Sequence, residues 1–238
     1  MSKGIGSFPI RDGPEPEPVG YNKNRCVVLF FDSTYEVLGL QVLVELQKNW
    51  ECKSLTVLVE KMSLVTVLSS MYQSSAGVAI VHCDPTNQQG LASIAQSHSS
   101  ADLLIILTGI VTEPKTFDRV KMEEIEAAFA ACVLVPLAVT TAFLPFMKET
   151  LNAVIAIGTT DLGTVGLANR SAVCAARHAL EGLIDGTAGE NRENKVAVVS
   201  VLVPPYDTKA TLAVEIPKFV SQVVSLRKDA KGVVFRET

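Results

Sequence analysis

Seven short apolar runs recur along this chain, and none alternates with polar residues: CVVLFF (Cys26–Phe31), LTVLV (Leu55–Val59), VAIVHC (Val78–Cys83), LLIIL (Leu103–Leu107), AVIAI (Ala153–Ile157), VAVVSVLV (Val196–Val203) and VVF (Val233–Phe235). A strand with one face in water shows period-two alternation, whereas a strand buried on both faces reads as an unbroken apolar run. Between the runs the apolar residues keep helical spacing, over Val37–Gln47, Leu64–Tyr72, Gln88–Ser97, Asp118–Glu149, Ser171–Gly186 and Ile216–Leu226, the last opened by Pro217. Strand and helix therefore alternate from Arg25 onward. The expectation is a doubly wound, mostly parallel sheet of about seven strands with helices on both faces.

Residues 1–24 differ. They hold Gly4, Gly6, Gly13, Gly20 and the run Pro14-Glu15-Pro16-Glu17-Pro18 without any period, which reads as an extended or disordered arm ahead of a single domain over 25–238. A net charge of −4 gives no basic field for nucleic acid. No basic start followed by an apolar segment marks a secretory leader, so a cytoplasmic protein is expected. The apolar stretch Ala127–Met147 is long enough for a membrane span. Its alanines and threonines, together with Pro136 and Pro145, favour an interface helix and no span. The five cysteines form no C-x-x-C pair and read as reduced, small hydrophobes. His82-Cys83-Asp84 is the only local cluster of metal-ligand types; it lies at a strand end, where alternate side chains diverge, so no metal is expected.

The landmarks then fall in a specific order. His82-Cys-Asp84-Pro-Thr-Asn87 closes the third run, and Asp102-Leu-Leu-Ile-Ile-Leu-Thr-Gly109-Ile110 spans the fourth. Leu144-Pro-Phe-Met147 closes the long helix, and Ala179-Leu-Glu-Gly-Leu183 sits in the helix after the fifth run. Pro204-Pro205 and Asp207-Thr208 follow the sixth. In this order and spacing, residues 25–238 resemble the short-chain dehydrogenase/reductase family, which implies a Rossmann-like fold, a nicotinamide dinucleotide and carbonyl/alcohol redox chemistry.

Residue by residue, that resemblance carries over only in part. The family's glycine-rich turn lets the backbone approach a pyrophosphate at a helix N-terminus. Here the turn is Phe31-Asp32-Ser-Thr-Tyr35-Glu36-Val-Leu-Gly39. Asp32 takes the place of the first glycine, Glu36 or a neighbour that of the second, and Gly39 alone remains, with a one-residue shift. Glu60, Asp84 and Gly109 stand at the family's other cofactor positions. Of the catalytic Asn, Ser, Tyr and Lys, the matching positions hold Cys132, Thr160, Val173 and Arg177. Val173 can neither give nor take a proton, and Arg177 is a permanent cation. Arg177 is expected on an exposed helix face, and His178 in a core or an interface.

Two functions follow from this reading. One is a non-catalytic family member, a pseudoenzyme binding no cofactor, that works as a structural or regulatory subunit of a homo- or hetero-oligomer through helices 127–147 and 171–186. The other is a divergent oxidoreductase that still takes NAD or NADP. The feature that separates them is whether the crevice above the first strand is open or filled by Tyr35, Glu36 and Leu38.

Overall fold

Among the described residues, six of the apolar runs pair into one wholly parallel sheet. The structure is a computed structural model and describes residues 25–49, 52–98, 101–150, 153–160, 162, 165–191, 196–203 and 209–226. The strands are β1 (Cys26–Phe31), β2 (Ser54–Val59), β3 (Val78–His82), β4 (Leu103–Leu107), β5 (Ala153–Thr159) and β6 (Val196–Leu202). Their order across the sheet is β3-β2-β1-β4-β5-β6. It reverses between β1 and β4, which opens a crevice at the carboxyl ends of those two strands, the place where such sheets keep their ligands. The expected arm over 1–24, the segment Pro204–Thr208 and the seventh strand at Val233–Phe235 lie outside the described residues.

Side chains from the two faces of the strands feed two cores. One face packs under α1 (Glu36–Asn49), α2 (Met62–Met71) and α7 (Lys209–Ser225), with Leu29, Phe31, Leu38, Val57, Ile105 and Phe219 buried there. The other packs under α3 (Gln88–Ser97), α4 (Met122–Phe129), α5 (Val135–Met147) and α6 (Ser171–Glu190), around Phe30, Leu104, Cys132, Phe143 and Ile155. Every residue of β1 and β4 is buried, whereas β3, at the sheet edge, is only half covered. This is the physical reason the central runs are the most apolar.

Three helices depart from the sequence expectation. The long helical region is four pieces: a 3-10 turn at Phe117–Arg119, then α4, then a π-helical turn at Ala130–Leu134, then α5. Pro136 has no N–H to give the carbonyl of Cys132, four residues earlier, and a widened turn absorbs that loss. Helix α7 begins at Lys209, so Pro217 lies inside it rather than in its first turn. The buried side of Ile216, Phe219, Val220, Val223 and Val224 carries the helix through the missing bond. In α6, Ile184 rather than Leu183 completes the inward face of Val173, Ala176 and Leu180, and Leu183 is 38% exposed.

The first described residue is tied to the last. The Arg25 guanidinium donates to the carbonyls of Val224 and Leu226 (2.9 Å each), capping α7. Its Nε stands 3.8 Å from Asp102, whose other oxygen accepts from the Cys26 N–H.

Gly39, in the second turn of α1, lies directly over the ring of Phe31. A Cβ there would fall closer than 3.0 Å to three ring carbons. A methyl group would gain about 1 kcal/mol of helix propensity but overpack a buried ring at a cost of about 1–3 kcal/mol. Gly39→Ala is therefore expected to lower stability in urea titration by on the order of 1 kcal/mol, despite replacing a helical glycine.

Candidate functional site

The switch-point crevice is built from three chain segments: the turn between β1 and α1, the end of β4 at Thr108-Gly109, and the face of α6 that carries Val173 and Arg177, one helical turn apart. Asp32 follows β1 directly. One of its carboxylate oxygens accepts from the N–H groups of Thr34 (2.9 Å) and Tyr35 (3.0 Å), and the other from the N–H of Gly109 (2.8 Å). The turn is thus pinned both to the start of α1 and across to β4. Burial pushes the Asp32 carboxyl above the usual aspartate range, against the pull of those three N–H groups and with some help from the nearby Glu60 charge.

Arg177 is not on an exposed face. It is 2% exposed, because position 177 shares the inward stripe of α6 with Val173, Ala176 and Leu180. Its guanidinium reaches across the strand ends and donates to the carbonyl of Gly158 (3.1 Å), the carbonyl of Thr108 (2.9 Å) and the hydroxyl of Tyr35 (3.1 Å). A planar fork of donors suits this bridging, which a lysine point charge does not provide. Tyr35 is 4% exposed. Its ring and the Arg177 fork lie together over Gly109: a Cβ on that glycine would fall closer than 3.0 Å to both. Gly109 is the contact surface for two large side chains.

The other candidate positions separate. Cys132 is fully buried at the π-helical turn, facing this crevice's floor. Burial pushes its thiol up; the Arg177 charge and the Ile110 N–H oppose that shift. Thr160, just past β5, is half-buried, and its hydroxyl has no hydrogen-bond partner among the described residues; the same holds for the hydroxyl of Thr108 and Nε of Arg177. Glu36 turns away from the crevice to pair with Lys61 (2.8 Å), on the outside. Leu38 sits in the sheet core rather than the crevice. Glu60 is exposed, with its backbone carbonyl 3.1 Å from His82 Nε2. Asp84 forms a local turn, accepting from the N–H and hydroxyl of Thr86 (2.9 and 2.7 Å), which hold its carboxyl below the usual range. His178 is exposed on the single chain and not part of its core, because it falls one step round α6 from Arg177; its ring contacts the Cys174 carbonyl (2.8 Å). No group of three metal-ligating side chains is present among the described residues.

With the fold and crevice in place, comparison with known proteins fixes the ancestry. The family profile described as short chain dehydrogenase matches residues 37–216, well over half of the chain. The chain belongs to the short-chain dehydrogenase family. No curated protein matches in sequence. Among solved structures, serine dehydrogenase from Escherichia coli superposes with a TM-score of 0.74 at 12% identity, covering 88% of this chain and 96% of that one. Carbonyl reductase Sniffer of D. melanogaster gives 0.72 at 14%, covering 89% and 100%. A metagenomic short-chain oxidoreductase in complex with NADP gives 0.71 at 18%, covering 91% and 99%. At these identities the likeness is one of fold.

Two predictions follow from the crevice. Replacing Arg177 with leucine strips a charged donor from two buried carbonyls and a phenol. Unfolding in urea should show a loss of about 2–5 kcal/mol, and Arg177→Lys should recover only part of it. The second concerns pH. The folded-state pKa of Asp32 is raised, so the folded chain binds more protons than the unfolded chain in the window just above the unfolded value. Its contribution to stability therefore falls as pH rises through that window. The melting temperature of wild type relative to Asp32→Asn should improve as pH is lowered toward 3.8.

Proposed function

We propose that the protein is a non-catalytic member of its family, acting as a structural or regulatory subunit and binding no nicotinamide cofactor. The observation that carries this is the joint packing of Tyr35 and Arg177 over Gly109. A dinucleotide needs its pyrophosphate against the backbone at the start of the first helix, and bulky, hydrogen-bonded side chains stand in that approach. The chemistry fails separately. Val173 occupies the place of the proton-transferring tyrosine and Arg177 that of its lysine partner, and the guanidinium is committed to two main-chain carbonyls. A general acid must titrate within hydrogen-bond reach of the reacting oxygen. Neither residue meets that condition.

The subunit reading draws on α4–α6. The segment Met122–Met147 is long and apolar enough to cross a membrane by length and composition. In this fold one side of it, with Ala128, Cys132, Val139, Phe143 and Met147, is buried on the sheet. The opposite side leaves Leu134 59% and Leu137 37% exposed, with Leu137 beside Leu183 of α6. An apolar face shared by two adjacent helices fits burial against the same face of a second copy or a related subunit.

A divergent oxidoreductase is the second reading, favoured by one detail: the partnerless Thr160 hydroxyl at the end of β5. Titration with NADPH and with NADH, followed by cofactor fluorescence, separates the two. Non-catalytic status predicts no saturable binding up to about 1 mM, the limit of roughly −4 kcal/mol; saturation in the micromolar range transfers the assignment to the second reading. Light scattering at micromolar protein should give a mass of at least two subunits, and a monomer with no copurifying chain would remove the oligomer.

A further inference from the structure

The N-terminus of a long helix that follows a strand at a topological switch point is a ready-made anion site, because its N–H groups have no partners inside the helix. Here three N–H groups at that place are already used. Thr34 and Tyr35, which lead into the 14-residue helix α1, and Gly109, from the end of β4, aim three N–H groups at one point, and the carboxylate of Asp32 sits there at 2.8–3.0 Å from each. Convergent main-chain donors of this kind bind phosphate oxygens in other folds. No ion pair joins Asp32 to a cation among the described residues, and the Glu60 charge that acts on it is of like sign. The carboxylate is thus held by main-chain dipoles, as a bound oxyanion would be.

We propose that Asp32 is a built-in occupant of an anion-binding turn: its carboxylate takes the N–H groups of Thr34, Tyr35 and Gly109 that would otherwise be offered to a phosphate, and so closes the turn from within. This rests on the reading that the wild-type crevice takes no dinucleotide, but it goes beyond it, because it separates two blocks. Asp32 satisfies and neutralises the donors. Tyr35 and Arg177 occupy the space beyond them. Removing the first block should uncover a site for a small phosphate while still excluding a dinucleotide; removing both should admit the larger ligand.

The test is calorimetric titration of the full chain with inorganic pyrophosphate and with NADPH. Wild type is expected to bind neither. Asp32→Gly should bind pyrophosphate at least about tenfold more tightly than wild type, a gain of about 1.4 kcal/mol, and still reject NADPH. Asp32→Gly combined with Tyr35→Ala should gain NADPH. Should the glycine variant fail to fold, Asp32→Ala serves instead. It removes both carboxylate oxygens and frees the N–H groups of Thr34, Tyr35 and Gly109, so it too must gain pyrophosphate. Glu60→Gln, which removes a neighbouring negative charge and leaves the turn intact, should gain nothing. The proposal is overturned if folded Asp32 variants gain no pyrophosphate, if Glu60→Gln gains as much as they do, or if wild type already binds pyrophosphate as tightly. Saturable NADPH binding by wild type would instead overturn the non-catalytic reading, so the two failures are distinguishable.

Discussion

The buried guanidinium of Arg177 is the contact on which the centre of this molecule depends. A parallel sheet leaves main-chain carbonyls without strand partners at its carboxyl end. Here one side chain from α6 spans β4 and β5, answers the carbonyls of Thr108 and Gly158, and then holds the phenol of Tyr35. Taking an arginine out of water is expensive, and the cost is offset only because several of its donors find acceptors. That requirement fixes the glycine at 109, the aromatic at 35 and the closeness of α6 to the sheet together.

The same economy appears in the turn after β1. A carboxylate at position 32 would be an isolated buried charge if the turn were built as a glycine loop around a ligand. Instead the main chain folds back on it, with Thr34 and Tyr35 donating from one side and Gly109 from the other. Asp32 fixes where Tyr35 begins, and Tyr35 fixes where Arg177 ends. Glu36, next in the chain, is left to pair with Lys61 in solvent. Two acidic residues four apart therefore have opposite fates, decided by which one meets converging N–H groups.

Much of this was legible in the residues. Runs such as LLIIL can only be strands covered on both sides, and β4 is indeed buried throughout. The spacing of landmarks pointed to Cys132, Thr160, Val173 and Arg177 at the family's catalytic positions, and of these Val173 and Arg177 share the inward stripe of α6. What the residues could not disclose was the direction of Arg177. An arginine in a helix is most often solvated, and nothing local marks this one as buried, since its partners lie 19, 69 and 142 positions away and two of them are main-chain atoms with no sequence signature. Tyr35 stood out only as one of three residues that could fill the crevice above the first strand. The break in the long helix was readable in Pro136, but a helical period runs on either side of it and hides the π-helical turn around Cys132. In the last helix the buried face outweighed a proline that local rules would place at the start.

Arg25 joins the first strand to the end of the last helix, with partners 199 and 201 residues further along. A chain made from its N-terminus holds this arginine ready long before the carbonyls of Val224 and Leu226 exist. Until they emerge, Arg25 lacks these two acceptors, and the side of the sheet that α7 will cover is open to water. Such far-sequence closure is slow to form and exposes apolar surface while it waits. The domain thus latches only once α7 has been made, and a chain cut short before α7 would display the wettest version of its own core.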